Sequence, residues 1–363
     1  MNILYLNKSM HLGGDNKCIL KLCVELKDKY NIFIASSGGI LEEEFDKMAI
    51  KHYKIDNAIN KMPHMIIQNV IKLAHIVKKE KIQVIHSHHR MTTLTARIVS
   101  KITGVKVIHT QHSCIKDKIK LTKIALKDTE IIAVSNAVKR ILEEKYNLDN
   151  KHIRTIYNTI DTKEHNEEVD DILIQLKNKG YFIISQVGRV VKNKGIDDFL
   201  VIAREVVKEN NKIKFVLIGD GPIFDEVHKK IINNKLEEDV FLLGNKSNII
   251  DHLKYIDLML LCSYVEGLPL APIEAFSQSI PVIATDIDGT NEEIINGHNG
   301  YLVEVGNIKL FKERILEIYK DDSLLNKMKQ NSYHMYIQHF NNNQYIENHK
   351  QVYDEIIKED ING

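Results

Sequence analysis

The sequence predicts an α/β protein of two doubly wound, Rossmann-like domains, and two observations lead there. Short apolar runs alternate with longer helical patterns along both halves of the chain, the signature of a mostly parallel sheet covered by helices. A polar, acidic stretch divides these runs into two sets, as two separate sheets require. With 363 residues, 44% of them hydrophobic and 27% charged, the chain exceeds the usual size of one compact domain and can bury a sizeable core.

In the first half the expected strands are residues 3–6, 32–35, 84–86, 105–109, 131–134 and 153–156. A helix with Cys18, Ile19, Leu22 and Leu26 on its apolar side follows the first strand, and helical spacing recurs at Ile66, Val70, Ile71, Ala74 and Val77. The break is expected between Asp161 and Asn178. It gives an N-terminal domain over residues 1–161, a second domain over 162–335, and a C-terminal segment over 336–363 with an amphipathic pattern between Tyr345 and Ile357. In the second half the expected strands are residues 181–187, 214–218, 240–243, 258–261 and 281–284. Ligands of such sheets collect at the carboxyl ends of the strands, here in a cleft expected between the domains.

Bulk properties exclude several classes. No apolar stretch approaches the roughly 18 residues of a membrane span, and the start of the chain lacks the pattern of a signal peptide, so a cytoplasmic protein is expected. The four cysteines show no CxxC spacing and read as buried free thiols. The net charge of +1 conceals an asymmetry: residues 1–160 carry 27 Lys and Arg against 15 Asp and Glu, and the remainder carries 23 against 34. A basic half facing an anionic partner or surface follows. Nucleic acid is not expected, because the chain has no Trp and no recognisable nucleic-acid module.

The candidate site residues lie in loops after strands. Gly13 and Gly14 open a helix where backbone N–H groups could approach a phosphate; the other reading is a turn that needs glycine for its backbone angles. The loop GRVVKNKG (188–195) places Arg189 and Lys194 five residues apart at a strand's carboxyl end, suited to gripping a diphosphate. The most specific stretch is SYVEGLPLAPIEAF (263–276). Glu266 and Glu274 would stand about 12 Å apart in a continuous helix. Gly267 and Pro269 instead put Glu266 in a loop and Glu274 in the first turns of a helix, with free N–H groups between. That suits a ligand with hydroxyls at two places and negative charge between them. His86 and His88 share a strand face, beside His89, but no carboxylate lies close in sequence and no metal is expected.

In order and spacing, Gly188-Arg189 with Lys194-Gly195, the GDGP at 219–222, and Glu266 through Glu274 to the PVIA at 281–284 resemble retaining glycosyltransferases of family 4. The likeness covers essentially the whole chain and is strongest over residues 181–303. It implies the GT-B architecture and transfer of a hexose or N-acetylhexosamine, with retention, from a nucleotide sugar to a glycan or lipid-linked saccharide. UDP is the expected nucleotide, no metal or other cofactor is required, and bacterial surface polysaccharide synthesis is the expected setting. By resemblance, Arg189 and Lys194 hold the donor diphosphate, Glu274 the ribose hydroxyls, and Gly13, Gly14, Gly267, Leu268, Pro269 and Leu270 also line the donor site. Glu266 and His112 stand by the transferred sugar as the other candidate catalytic residues. Two departures are Ser279, where many relatives have glycine, and Thr290, in place of the second glycine of a common pair. A GT-B nucleotide-sugar epimerase and a non-catalytic nucleotide-sugar-binding protein are the alternatives.

One further segment, residues 115–127, sets five lysines against one aspartate. If helical, it shows an apolar side (Ile115, Ile119, Leu126) flanked by Lys116, Lys120, Lys123 and Lys127, the pattern of a helix lying on an anionic membrane. Peripheral contact with the inner face of a membrane, where a lipid-linked acceptor would be presented, is the expectation.

Overall fold

The computed structural model describes the chain except for Leu12, residues 57–61, 115–117, 161, 163–167, 248 and 363, and the side chains of residues 359–362. Asp161, Ile115 and Lys116 therefore lie outside the described residues. Two compact units are formed: Met1–Thr159 together with Asn342–Gly363, and Ile160–Asn341. The last division falls later than residue 336, because the helix Asp322–His339 carries on through it, burying Tyr336 and, just beyond its end, Phe340.

In the first unit the strands are β1 (Asn2–Leu6), β2 (Asn31–Ser36), β3 (Lys51–Lys54), β4 (Val84–Ser87), β5 (Lys106–Gln111), β6 (Glu130–Ala133) and β7 (Ile153–Thr155). They form one parallel sheet in the order β3-β2-β1-β4-β5-β6-β7. Alternate residues of β1 face opposite sides, as the pleat requires. Ile3 and Tyr5 pack with helices Gly14–Leu26, Glu42–Lys47 and Asn342–Asn362, whereas Leu4 and Leu6 pack with helices Pro63–Lys79 and Arg90–Thr103.

The second unit contains β8 (Phe182–Val187), β9 (Ile213–Ile218), β10 (Val240–Gly244), β11 (Leu258–Leu261), β12 (Val282–Thr285) and β13 (Gly300–Val303), parallel in the order β10-β9-β8-β11-β12-β13. All eleven expected strands form, within two residues of their expected ends. β3 and β13 were not expected. Both are four-residue strands at a sheet edge, where one neighbour is missing and a long apolar run is not needed. In each sheet the strand order reverses once, at β1/β4 and at β8/β11, and the loops leaving those strands carry the candidate residues.

Candidate functional site

In the second unit, the loop after β8 and the loop after β11 are locked together by their backbones. Gly195 sits at φ +62°, and a Cβ there would stand 1.8 Å from the Cys262 carbonyl oxygen, so only glycine permits this approach. The Tyr264 N–H donates to the Asn193 carbonyl at 2.9 Å, and the Gln186 amide donates to the Lys194 carbonyl at 2.8 Å. The result fixes Lys194 against Glu266: Nζ lies 2.5 Å from Oε1, with the two side chains 23% and 10% exposed. Arg189, on the same loop, is exposed, and its guanidinium makes no hydrogen bond or ion pair among the described residues. A free guanidinium thus stands on the loop that also carries a lysine held only by a carboxylate.

Glu266 lies in the loop and Glu274 in the helix Leu270–Ser277, where it is buried. That helix starts at Pro269 with no side-chain cap. Its first-turn N–H groups and the positive end of its dipole remain to be met by something other than a capping side chain. Gly267, Leu268 and Pro269 are buried, and Leu270 is half-buried.

A residue the sequence reading assigned no role, Glu293, completes this group. It ends the short helix Thr290–Glu293, is fully buried, and neither carboxyl oxygen has a hydrogen-bond partner among the described residues. Burial, and next the charge of Glu266, push its pKa well up, with Lys194 opposing. Burial thus favours the neutral form of Glu293, which is close enough to the Lys194–Glu266 pair to feel both charges. Its position in TNEE is visible in the sequence, but its burial depends on the loop at Gly289, which packs on Gly267 so closely that a Cβ would lie 2.5 Å from the Gly267 oxygen.

In the first unit, Gly13 precedes the helix Gly14–Leu26 with φ 176°, an extended angle open to any residue, so backbone angles do not require glycine there. A Cβ on Gly13 would meet only the end of the Asp15 side chain, at 2.9 Å. Burial raises the pKa of Asp15, but His112 and a 3.0 Å hydrogen bond from Asn7 outweigh it and hold the carboxyl low. Burial lowers the His112 pKa, with Asp15 opposing, which leaves a neutral ring.

His112 Nε2 lies 2.9 Å from Nδ1 of the buried His88, and the rings stack with centroids 5.2 Å apart. His88 Nε2 is buried without a hydrogen-bond partner among the described residues. If His88 donates from Nδ1, its orphan is an empty acceptor; the opposite arrangement orphans a buried N–H, which costs more and is rarer. His112 accordingly carries its own proton on Nδ1 and offers a hydrogen-bond donor rather than a base. Beyond His88, His86 bonds Tyr353 through Nδ1 and Thr110 through Nε2, each at 2.7 Å, and Tyr353 meets Tyr5 at 3.0 Å.

Two family models match the chain: "Glycosyltransferase Family 4" over residues 12–164 and "Glycosyl transferases group 1" over residues 170–335. Together they span most of its length. The chain belongs to glycosyltransferase family 4. Among similar proteins, an Escherichia coli UDP-Gal:alpha-D-GlcNAc-diphosphoundecaprenol alpha-1,3-galactosyltransferase is 28% identical over 80% of each chain. A Bacillus anthracis N-acetyl-alpha-D-glucosaminyl L-malate synthase is 26% identical over the same shares. A glycosyltransferase from Rickettsia africae superposes with a TM-score of 0.83, 26% identity and 98% coverage of both chains. Anabaena HepE, solved with UDP, superposes with a TM-score of 0.84 at 18% identity over 98% of this chain and all of its own, a likeness of fold. Both units are Rossmann-like, as the GT-B fold requires.

The two departures within this glycosyltransferase now have physical readings. Ser279 adopts φ +59°, the left-handed conformation that explains glycine at this position and that strains serine. The Thr290 hydroxyl donates to the Thr285 carbonyl at 2.6 Å and accepts from the Ile287 N–H at 3.2 Å, closing the 285–290 loop with a side chain. Among the described residues no group of three or more His, Cys, Asp or Glu is arranged to hold a metal ion.

Proposed function

We propose that this glycosyltransferase moves a hexose or N-acetylhexosamine, with retention, from a UDP-sugar to a glycan or lipid-linked saccharide of a bacterial surface polymer. The observation that carries the reading is the Lys194–Glu266 pair, with the unpaired Arg189 guanidinium on the same loop, at the β8/β11 reversal. A diphosphate competes with Glu266 for the lysine ammonium and takes the Arg189 guanidinium as a second contact. When Lys194 turns to the diphosphate, Glu266 is released towards the hydroxyls of the transferred sugar. Burial of Glu293, which disfavours its charged form, works against a second negative charge beside Glu266.

The uncapped start of helix Leu270–Ser277 adds N–H groups for the phosphates, lined by Gly267, Leu268, Pro269 and Leu270, and Glu274 takes the ribose hydroxyls. In the first unit, the backbone N–H groups at Gly13 and Gly14 are suited to a phosphate and His112 Nδ1–H to a sugar hydroxyl. In the transfer, the bond between the anomeric carbon and the diphosphate oxygen breaks with its electron pair leaving on UDP. The acceptor oxygen bonds the same face of that carbon, and its proton passes to the departing phosphate oxygen. Arg189 and Lys194 stabilise the charge developing on the leaving group, the largest contribution expected. Nothing in this step calls for a metal.

The similarity to a diphosphoundecaprenol-dependent galactosyltransferase supports an acceptor at a membrane, as do the exposed Lys120, Lys123 and Lys127. Incubation with a panel of nucleotide sugars and bacterial lipid extract, followed by mass spectrometry and NMR of the new anomeric centre, tests the reading. A glycoside with the donor's own configuration is expected. An inverted product, or free nucleotide with no glycoside, contradicts it.

A further inference from the structure

Three helices that pack side by side in the first unit, Pro63–Lys79, Arg90–Thr103 and Ile119–Leu126, contain no Asp or Glu at all. They carry eight cationic residues: Lys72, Lys78 and Lys79 on the first, Arg90, Arg97 and Lys101 on the second, Lys120 and Lys123 on the third. The first two cover the side of the sheet that Leu4 and Leu6 face. The opposite side is unlike it: helix Glu42–Lys47 has four acids in six residues, and helix Asn342–Asn362 carries Glu347, Asp354 and Glu355. The basic excess of the first unit is thus gathered on one side of its sheet.

That face is also apolar. Among the described residues of the first unit, every exposed large hydrophobic side chain except Ile40 lies on these helices or on Met62 at the cap of the first. Ile67 and Ile71, and Ile98 and Ile102, each stand one turn apart, and Ile119 and Ile124 follow on the third helix. Ile71 is 64% exposed, Ile102 59% and Ile124 60%. The helical spacing groups Ile71 with Val70 and Val77, and Ile119 with Leu126, on the apolar sides of their helices. In the structure Val70, Leu73 and Val77 seat the first helix, while Thr122, Ala125 and Leu126 seat the third, leaving these isoleucines outside. Three of the cations are partly engaged, Lys72 with Asp56 at 2.7 Å, Arg97 with Asp128 at 3.9 Å and Arg90 with the Thr122 hydroxyl at 3.2 Å.

We propose that this three-helix face docks on an anionic phospholipid bilayer, with the isoleucines entering the headgroup boundary and the lysines resting on the phosphates. The absence of acids across 39 residues of surface helix fits a partner that is uniformly negative, and the six isoleucines fit one with an apolar layer beneath its charge. The proposal deepens the membrane-acceptor reading above, but vesicle binding reports on it without any transfer taking place.

The test is sedimentation of the full chain with vesicles of phosphatidylglycerol and phosphatidylethanolamine at low and high salt. Two variants accompany it: Ile71→Ser/Ile102→Ser/Ile124→Ser, and Lys101→Glu/Lys120→Glu/Lys123→Glu. All six side chains are exposed, so the fold stays intact. Binding to pure phosphatidylcholine should be weak. The lysine variant, which reverses three charges, should lose at least roughly fivefold in partitioning per lysine replaced at low salt. The isoleucine variant should lose at least about tenfold at both salt concentrations, since buried apolar area is insensitive to screening. Wild-type chain that stays in solution at low salt overturns the proposal. So does an isoleucine variant that binds as well as wild type, or a concentration-dependent dimer abolished by the isoleucine changes, which gives the face to a second copy. Transfer to a water-soluble acceptor analogue, measured alongside, fails only if the enzymatic reading fails.

Discussion

Lowering the pH should unfold the first unit by an amount that its buried imidazoles set. His109 and His349 are each 1% exposed, and burial depresses their pKa values to about 3 and about 4. His86 and His88 are pushed well down by the same cause. In the unfolded chain each returns to an ordinary value of about 6.5. The unfolded state therefore binds more protons below that pH, and stability present at neutral pH is lost as the pH falls. At pH 5 the linkage costs about 2 kcal/mol for each of His109 and His349, and His86 and His88 add in the same direction. About 4 kcal/mol is a large part of a stability of 5–15 kcal/mol. Hydrogen exchange with mass spectrometry in urea, at pH 7 and pH 5, reads this locally from peptides of β1 and helix Asn342–Asn362, with second-unit peptides as internal reference. His349 Nδ1 donates to the Tyr345 carbonyl at 2.8 Å, and His349→Gln should remove about one proton from the slope. Equal protection of the first-unit peptides at both pH values would refute the account of a neutral, buried network.

Three further outcomes follow from the second unit. Ser279→Gly should stabilise the protein by about 0.5–1 kcal/mol in urea unfolding, because φ +59° strains serine and suits glycine. Gly195→Ala should destabilise by more than about 1 kcal/mol and weaken UDP binding together, since its Cβ meets Cys262 and moves the loop carrying Lys194; unchanged binding of UDP would separate that loop from the donor. Steady-state kinetics of Glu266→Gln should show mainly lower turnover, and of Glu274→Gln mainly weaker donor binding, with equal defects in both contradicting the assigned roles.

Much of the fold was legible because its signal is local. Central strands such as LMLL at 258–261 are buried on both faces and read as continuous apolar runs. KHYK at β3 has no such run, and β13 owes its position to Gly300, whose Cβ would strike the Val282 oxygen at 1.8 Å. In the site, Glu266 in a loop and Glu274 on a helix could be argued from Gly267 and Pro269. The burial of Glu293 could not, because it depends on one loop packing on another. Nor could the His88–His112 contact, or the bond from His86 to Tyr353, which joins residues 267 positions apart. In the lysine-rich helix Ile119 is exposed but Leu126, grouped with it on one apolar side, is buried, since periodicity alone does not say which apolar residues meet the core.

The central claim is that Arg189 and Lys194 hold the diphosphate of the donor, and titration calorimetry of UDP into wild type, Arg189→Ala and Lys194→Ala tests it most directly. Charge-assisted contacts to phosphate contribute about 1.5–3 kcal/mol, so each variant should bind UDP roughly ten- to a hundredfold more weakly while keeping its fold. UDP affinity equal to wild type in both variants would contradict the claim.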